Sequence, residues 1–182
     1  MTRRADLSED RSLDMDLLVE EARWDSLGLA ALAHGALQAT FAHMSLPVAD
    51  IEISVLACDD ARIAVLNGQF REKPQPTNVL SWPAEDLGVL KDGDVPRLPQ
   101  AGPDGCLALG DIALAYETCE REASDAGKPM ADHVTHLIVH GALHLLGFDH
   151  TRDADALLMQ KTEREILGKL GLDDPYKDYE AD

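Results

Sequence analysis

A chain of 182 residues, 45% of them apolar, has the length for one domain and the material for one real core. Its net charge of −18, from 34 acidic against 16 basic residues, argues against loose binding to phosphate backbones. Three scattered cysteines, Cys58, Cys106 and Cys119, fit a reducing compartment better than a disulfide framework.

The start, Met1 to Asp16, is charged and polar and does not read as a signal segment. The acidic ends, about 1–12 and 173–182, read as solvated, mobile surface. Leu13 to Val19 is apolar with alternating Asp14 and Asp16, a strand pattern. Ser26 is placed to cap a helix running to about His43. That stretch includes the most apolar early run, Leu27 to Leu37, which is too short to cross a bilayer and contains His34 and Gly35.

Ile51, Ile53 and Val55 alternate with Glu52 and Ser54, a half-buried strand. Asp59 or Asp60 caps a helix to about Phe70. Thr77 to Trp82 reads as a short strand closed by Pro83. Ala84 to Gly105, rich in Gly, Pro and Asp, reads as a long loop. A strand over Leu107 to Ala115 follows, then helices over about 116–126, 130–146 and 153–170. The expectation is an α+β fold: a single compact domain over 1–182, with one small mixed β-sheet flanked by helices.

The most informative stretch is His140-Gly-Ala-Leu-His144-Leu-Leu-Gly147-Phe-Asp-His150. On a helix, His140 and His144 stand one above the other on one face. Gly147 can take the left-handed conformation that ends a helix, so His150 can turn back toward the other two. Three imidazoles around one point leave a fourth tetrahedral position open, the arrangement of catalytic zinc. The spacing is that of the long zinc-protease motif, His-Glu-x-x-His-x-x-Gly-x-x-His, except at one residue. Gly141 stands where those proteases carry the glutamate that acts as general base, so the metal cage is present and the peptidase base is missing.

His136 shares the helical face of His140 and His144, which makes a rival triad. It fails on geometry, because residues eight apart lie about 12 Å apart along a helix axis and would form a ladder. His133 and His136 therefore read as ordinary core or surface histidines, or as residues behind the ligands or near substrate. A closed zinc site that only staples the fold needs a fourth protein ligand, for which Asp149, Cys106 and Asp111 are the choices.

A second segment, Asn67…Arg71-Glu-Lys73-Pro-Gln-Pro76-Thr77-Asn78-Val79-Leu80-Ser81, links a helix end to a strand. Arg71 and Lys73 make one of the few clean positive spots in this acidic chain, and an arginine fork suits a phosphate. Taken with Leu109-Gly110-Asp111-Ile112 and the histidine stretch, the chain resembles the YbeY family of bacterial rRNA maturation factors from about Leu13 to Leu170. Pro74, Phe148 and Trp82 depart from residues frequent in that family. The resemblance implies a compact α+β fold and one zinc ion on His140, His144 and His150. It implies single-strand endoribonuclease activity in 16S rRNA 3′-end maturation and ribosome quality control. Arg71 matches an arginine essential in the family, with Lys73 beside it as a second substrate contact. Precursor 16S rRNA and ribosomal particles or proteins are the implied partners, in the cytoplasm, with no membrane or DNA partner. A noncatalytic assembly factor with a structural zinc and a zinc peptidase are the rival readings. Asp149 is a candidate proton acceptor or a residue that orients a histidine.

Overall fold

The computed structural model describes residues 13–46 and 50–177. Its sheet holds β1 (Leu13–Val19), β2 (Asp50–Cys58), β3 (Val79–Pro83) and β4 (Cys106–Ala115), in the order β1-β2-β4-β3. β1 and β2 pair in parallel, as do β2 and β4, while β3 runs antiparallel to β4 at the edge. Parallel neighbours need a crossover rather than a tight turn. The first is made by α1 (Leu29–His43) and the second by α2 (Asp60–Arg71) together with β3. Three helices, α3 (Tyr116–Asp125), α4 (Met130–Leu145) and α5 (Asp153–Lys169), complete the chain. The sheet is small, mixed and flanked by helices, as the sequence predicts.

Ile51, Ile53, Val55 and Ala57 of β2 alternate onto one face and build the main core with α1, α4 and α5. Cys58 and Leu56 turn to the other face, where a smaller cluster forms with Ile63 of α2 and Leu80 of β3. β4 keeps its large side chains on the main core through one irregularity. Its register against β2 shifts between Glu52 and Ile53, so that Leu109 is the extra residue. Leu107 and Leu109 before the shift, and Ile112 and Leu114 after it, then all face the main core. Gly110 makes this possible at φ 123, where a Cβ would fall 2.0 Å from the Trp82 carbonyl oxygen.

One helix boundary differs from the sequence reading. Ser26 does not cap α1; its Oγ donates to the Arg23 carbonyl at 2.9 Å. A 3-10 turn occupies Ala22–Leu27, Gly28 breaks it at φ 67, and α1 starts at Leu29. Trp24 explains the difference. It is fully buried, donates from Nε1 to the Cys58 carbonyl at 2.9 Å and meets the Tyr116 ring edge-on at 5.1 Å. Seating that indole against β2 overrides the local preference for a continuous helix.

The predicted loop over 84–105 holds no helix or strand, yet it is tied down. Arg152, at the start of α5, donates to the Leu90 and Val89 carbonyls, each at 3.0 Å, and pairs with Asp92 at 2.8 Å. Asp155 accepts from the Gly93 amide at 2.8 Å. The loop is a strap over the chain between α4 and α5. Of the two acidic ends expected to be mobile, 1–12 and 178–182 lie outside the described residues. The stretch 173–177 is held: Asp174 pairs with Arg164 at 3.1 Å and Tyr176 reaches a buried carboxylate on α5.

Candidate metal centre

α4 is buried along most of its length, packing through Val134, Leu137, Ile138, Ala142 and Leu145, which recur at helical spacing. His140 and His144 project from its remaining face near the C-terminal end. The helix stops in a reversal: the Leu146 amide bonds to the Ala142 carbonyl and the Phe148 amide to the Leu143 carbonyl, each at 3.1 Å. Gly147 carries that reversal at φ 91, with the strap so close that a Cβ would lie 2.6 Å from the Leu87 carbonyl oxygen. His150 returns beside the helix. Its ring centroid lies 5.4 Å from that of His140 and 5.0 Å from that of His144. One nitrogen from each of the three falls within 4.8 Å of the others, so this group can hold a metal ion.

The hydrogen-bond partners of the rings show why. His144 Nδ1 donates to the Phe148 carbonyl at 2.9 Å, which leaves its Nε2 unprotonated in the neutral ring. His140 Nδ1 lies 2.5 Å from Glu163 Oε1, and a carboxylate only accepts, so this bond places a proton on Nδ1 and turns Nε2 toward the cluster. These two nitrogens sit 3.1 Å apart. Bonds of about 2.1 Å in a tetrahedron set nitrogens roughly 3.4 Å apart, close to the spacing seen. Burial, reinforced by His140 and His150, pushes the His144 imidazolium down to about 4, which keeps it neutral and ready to ligate.

Among the described residues, no cysteine or carboxylate joins the three histidines. Asp149, Cys106 and Asp111 therefore do not close the site as a fourth ligand, and exposed His150 marks its solvent side. Asp149 is engaged elsewhere: its Oδ1 accepts from the His150 amide at 2.7 Å and its Oδ2 from the Thr151 hydroxyl. Burial opposes its charge, but these bonds outweigh burial and hold its carboxyl below the ordinary value. It braces the turn and is a weak proton acceptor.

Gly141 has a packing reason to lack a side chain. A Cβ there would meet Ile112 Cδ1 at 3.3 Å and Cγ2 at 3.4 Å, so the missing base position points into the sheet. His136 is no ligand; its Nε2 lies 3.2 Å from Glu163 Oε2. His133 Nε2 lies 2.8 Å from Glu122 Oε2, which also accepts from Asn78 Nδ2 at 2.9 Å.

The residue that sequence reasoning missed is Glu163, which is fully buried on α5. Its signal was an acid on a buried stripe, among Met159, Thr162, Ile166 and Leu167. Burial would raise its carboxyl, but hydrogen bonds from His136 and His140 prevail and hold it at about 2.

Arg71 closes α2 and is exposed, as is Lys73. Neither side chain forms a hydrogen bond or ion pair among the described residues. The turn that carries them is nonetheless fixed. Glu72 ends the helix at φ 57, Lys73 donates its amide to the Asn67 carbonyl at 3.3 Å, and buried Asn67 donates from Nδ2 to the Gln75 carbonyl at 2.9 Å. Phe70 stands edge-on to Trp82 of β3, with centroids 5.4 Å apart, which ties this end of α2 to the sheet. Pro74 sits against Gly68, whose Cβ would lie 3.2 Å from the proline's own.

Among the described residues, no helix is long and apolar enough to cross a membrane. The solution structure of a Thermotoga maritima protein shares the fold, with a TM-score of 0.50 and 21% identity over 90% of this chain and 99% of that one. The endoribonuclease YbeY of Ruegeria pomeroyi is 58% identical over 164 residues, covering 90% of this chain and 98% of that protein. The endoribonuclease YbeY of Paracoccus denitrificans is 48% identical over 177 residues, covering 97% and 98%. The model of the family described as endoribonuclease YbeY matches residues 18–171. With the histidine geometry and the fold, these matches lead to one conclusion: this chain belongs to the YbeY endoribonuclease family.

Proposed function

We propose that this protein is a zinc-dependent, single-strand-specific endoribonuclease. Its work is maturation of the 16S rRNA 3′ end and late ribosome quality control in the cytoplasm, with residues 1–182 acting as one catalytic domain. The observation that carries this reading is the trio of imidazoles, two of them with Nε2 atoms 3.1 Å apart and none joined by a cysteine or carboxylate among the described residues, in a chain of this family.

His140, His144 and His150 hold one zinc ion per chain. When bound, the ion supplies Lewis acidity, lowering the pKa of water to near 7 and offsetting charge on a phosphoryl oxygen. Arg71, without a partner among the described residues and set on a fixed turn, holds the non-bridging oxygens of the scissile phosphate with two parallel hydrogen bonds. Lys73 adds a second positive charge to the same phosphate track. Gly141 offers no base, and Asp149, whose two oxygens each accept one hydrogen bond and keep a further lone pair, is the nearby candidate acceptor. The attacking proton passes to Asp149, to solvent or along the RNA, whether water or the 2′-hydroxyl attacks. Product ends separate these routes, since attack by the 2′-hydroxyl leaves a 2′,3′-cyclic phosphate.

The test is purified protein on single-stranded RNA, with a chelator and then with zinc restored. Cleavage that stops with chelator and returns with zinc supports the reading. A protein that binds zinc and assembles onto small subunits, yet cuts no RNA, would be a noncatalytic assembly factor. That rival lacks a fourth protein ligand among the described residues, and a zinc peptidase lacks its base at Gly141.

A further inference from the structure

Glu163 belongs to no motif in the histidine stretch, yet its side chain is 0% exposed and both oxygens are engaged. Oε1 lies 2.5 Å from His140 Nδ1. Oε2 lies 3.2 Å from His136 Nε2 and accepts from the Tyr176 hydroxyl. A buried carboxylate is costly unless its lone pairs are satisfied, and three donors from two other segments satisfy this one.

Tyr176 reaches this point because the chain beyond α5 folds back. Its amide donates to Asp174 Oδ1 at 2.8 Å, and Asp174 is held by Arg164. The Arg164 guanidinium lies 5.5 Å from the centre of the Tyr176 ring. The ring meets His136 edge-on at 5.8 Å. Three groups that look unrelated in sequence thus converge behind one ligand. His136, which failed as a ligand, is one of them.

We propose that Glu163, gripped by His136 and Tyr176, is a positioning residue that fixes His140 as its Nδ1–H tautomer and aims Nε2 at the metal. This rests on the reading of the three histidines as metal ligands. A free imidazole favours neither the tautomer nor the ring orientation a metal requires, so each must be imposed from behind. Glu163 imposes both on His140. For His144 that role falls to a backbone carbonyl in its own turn; for His140 it falls to a side chain from another helix. The C-terminal segment is then part of the metal centre, although it lies outside the ligand motif.

The test measures zinc affinity by competition with a chromophoric chelator, for wild type, Glu163→Ala, Glu163→Gln and Tyr176→Phe. In parallel, nitrogen NMR of the metal-free protein reads the His140 tautomer. Glu163→Ala is expected to weaken zinc by about 10–100-fold, the usual effect of losing such a partner. Glu163→Gln keeps an oxygen for Nδ1–H and is expected to recover part of that loss. Tyr176→Phe keeps the ring on His136 and Arg164, loses only the hydroxyl, and is expected to shift affinity in the same direction by less. Metal-free wild type is expected to carry its proton on His140 Nδ1. A purely structural carboxylate would lower the melting temperature of the metal-free variants and leave their zinc affinity equal to wild type; that result overturns the proposal. If Glu163→Ala does not fold, the glutamine and phenylalanine variants decide by the same criterion. Wild type that takes up no zinc overturns the metal reading itself, and this inference with it.

Discussion

Gly147→Ala tests whether the end of α4 is held as tightly as its contacts require. Gly147 sits at φ 91, and an added Cβ would lie 2.6 Å from Leu87 O, 2.7 Å from Leu87 C and 2.8 Å from Leu87 Cβ. Two of those atoms are backbone, so no rotamer change relieves the clash. A left-handed L residue costs about 1–2 kcal/mol. Overpacking against fixed atoms adds about 1–3 kcal/mol. Reduced freedom of the unfolded chain returns about 0.4–1 kcal/mol. The net expectation is destabilisation by about 2–4 kcal/mol. For a chain of this length that lowers the melting temperature by roughly 5–15 °C. The assay is thermal unfolding with a chelator present, so that metal linkage does not mask the change. Gly168→Ala is the control, because Gly168 lies exposed in α5 with nothing within 4 Å of its would-be Cβ. That substitution should raise stability by up to about 1 kcal/mol through helix propensity. A Gly147→Ala protein that melts within about 1 °C of wild type would refute the reasoning.

Elemental analysis of the purified protein should find about one zinc per chain, falling sharply in His144→Ala; full zinc in that variant removes His144 from the ligand set. Arg71→Ala should lose RNA cleavage while its melt stays within about 0.5 kcal/mol of wild type, as suits an exposed side chain with no partner among the described residues. Full cleavage would take Arg71 out of the site, and a collapsed melt would make it structural. Gly141→Glu, which restores the peptidase motif, should lower the melting temperature through its clash with Ile112 and gain no peptidase activity. A chain at −18 should cut the 3′ end of immature small subunits faster and more accurately than the same rRNA stripped of protein, at physiological salt. Equal cleavage of naked rRNA would require an RNA-reading surface in this chain.

What the sequence made legible was local. The i, i+4 histidines followed by a glycine stop are written in eleven consecutive residues, and helix geometry alone brings two of the three rings together. The strands of β1 and β2 show their alternation directly. What stayed hidden depends on residues far apart in the chain. The Ser26 start of α1 failed because a single indole, Trp24, finds its partner on Cys58. The β4 bulge is invisible to a pattern read one strand at a time, since it switches parity so that both halves of β4 face the main core. Glu163 lies thirteen residues past the last ligand, and only the packing of α5 on α4 turns it toward His140. The loop over 84–105 read only as a long loop because its partners, Arg152 and Asp155, come about sixty residues later.

The three histidines are therefore set by different parts of the molecule. His144 is fixed by the Phe148 carbonyl within its own turn, and His140 by a carboxylate from α5. His150 follows a turn braced by Asp149 and pressed by the strap at Gly147. The strap in turn is tied to α5 through Arg152. The level at which α4 presents its histidines depends on Gly141 lying against Ile112 of β4. A site assembled from the strap, the sheet, two helices and the C-terminal segment cannot survive in the unfolded chain. Any metal it binds must then stabilise the fold, by about 2.7 kcal/mol at a free concentration one hundred times its dissociation constant. A metal held there would make fold and site one cooperative unit, so glycines that touch none of the three histidines bear on it as directly as the histidines do.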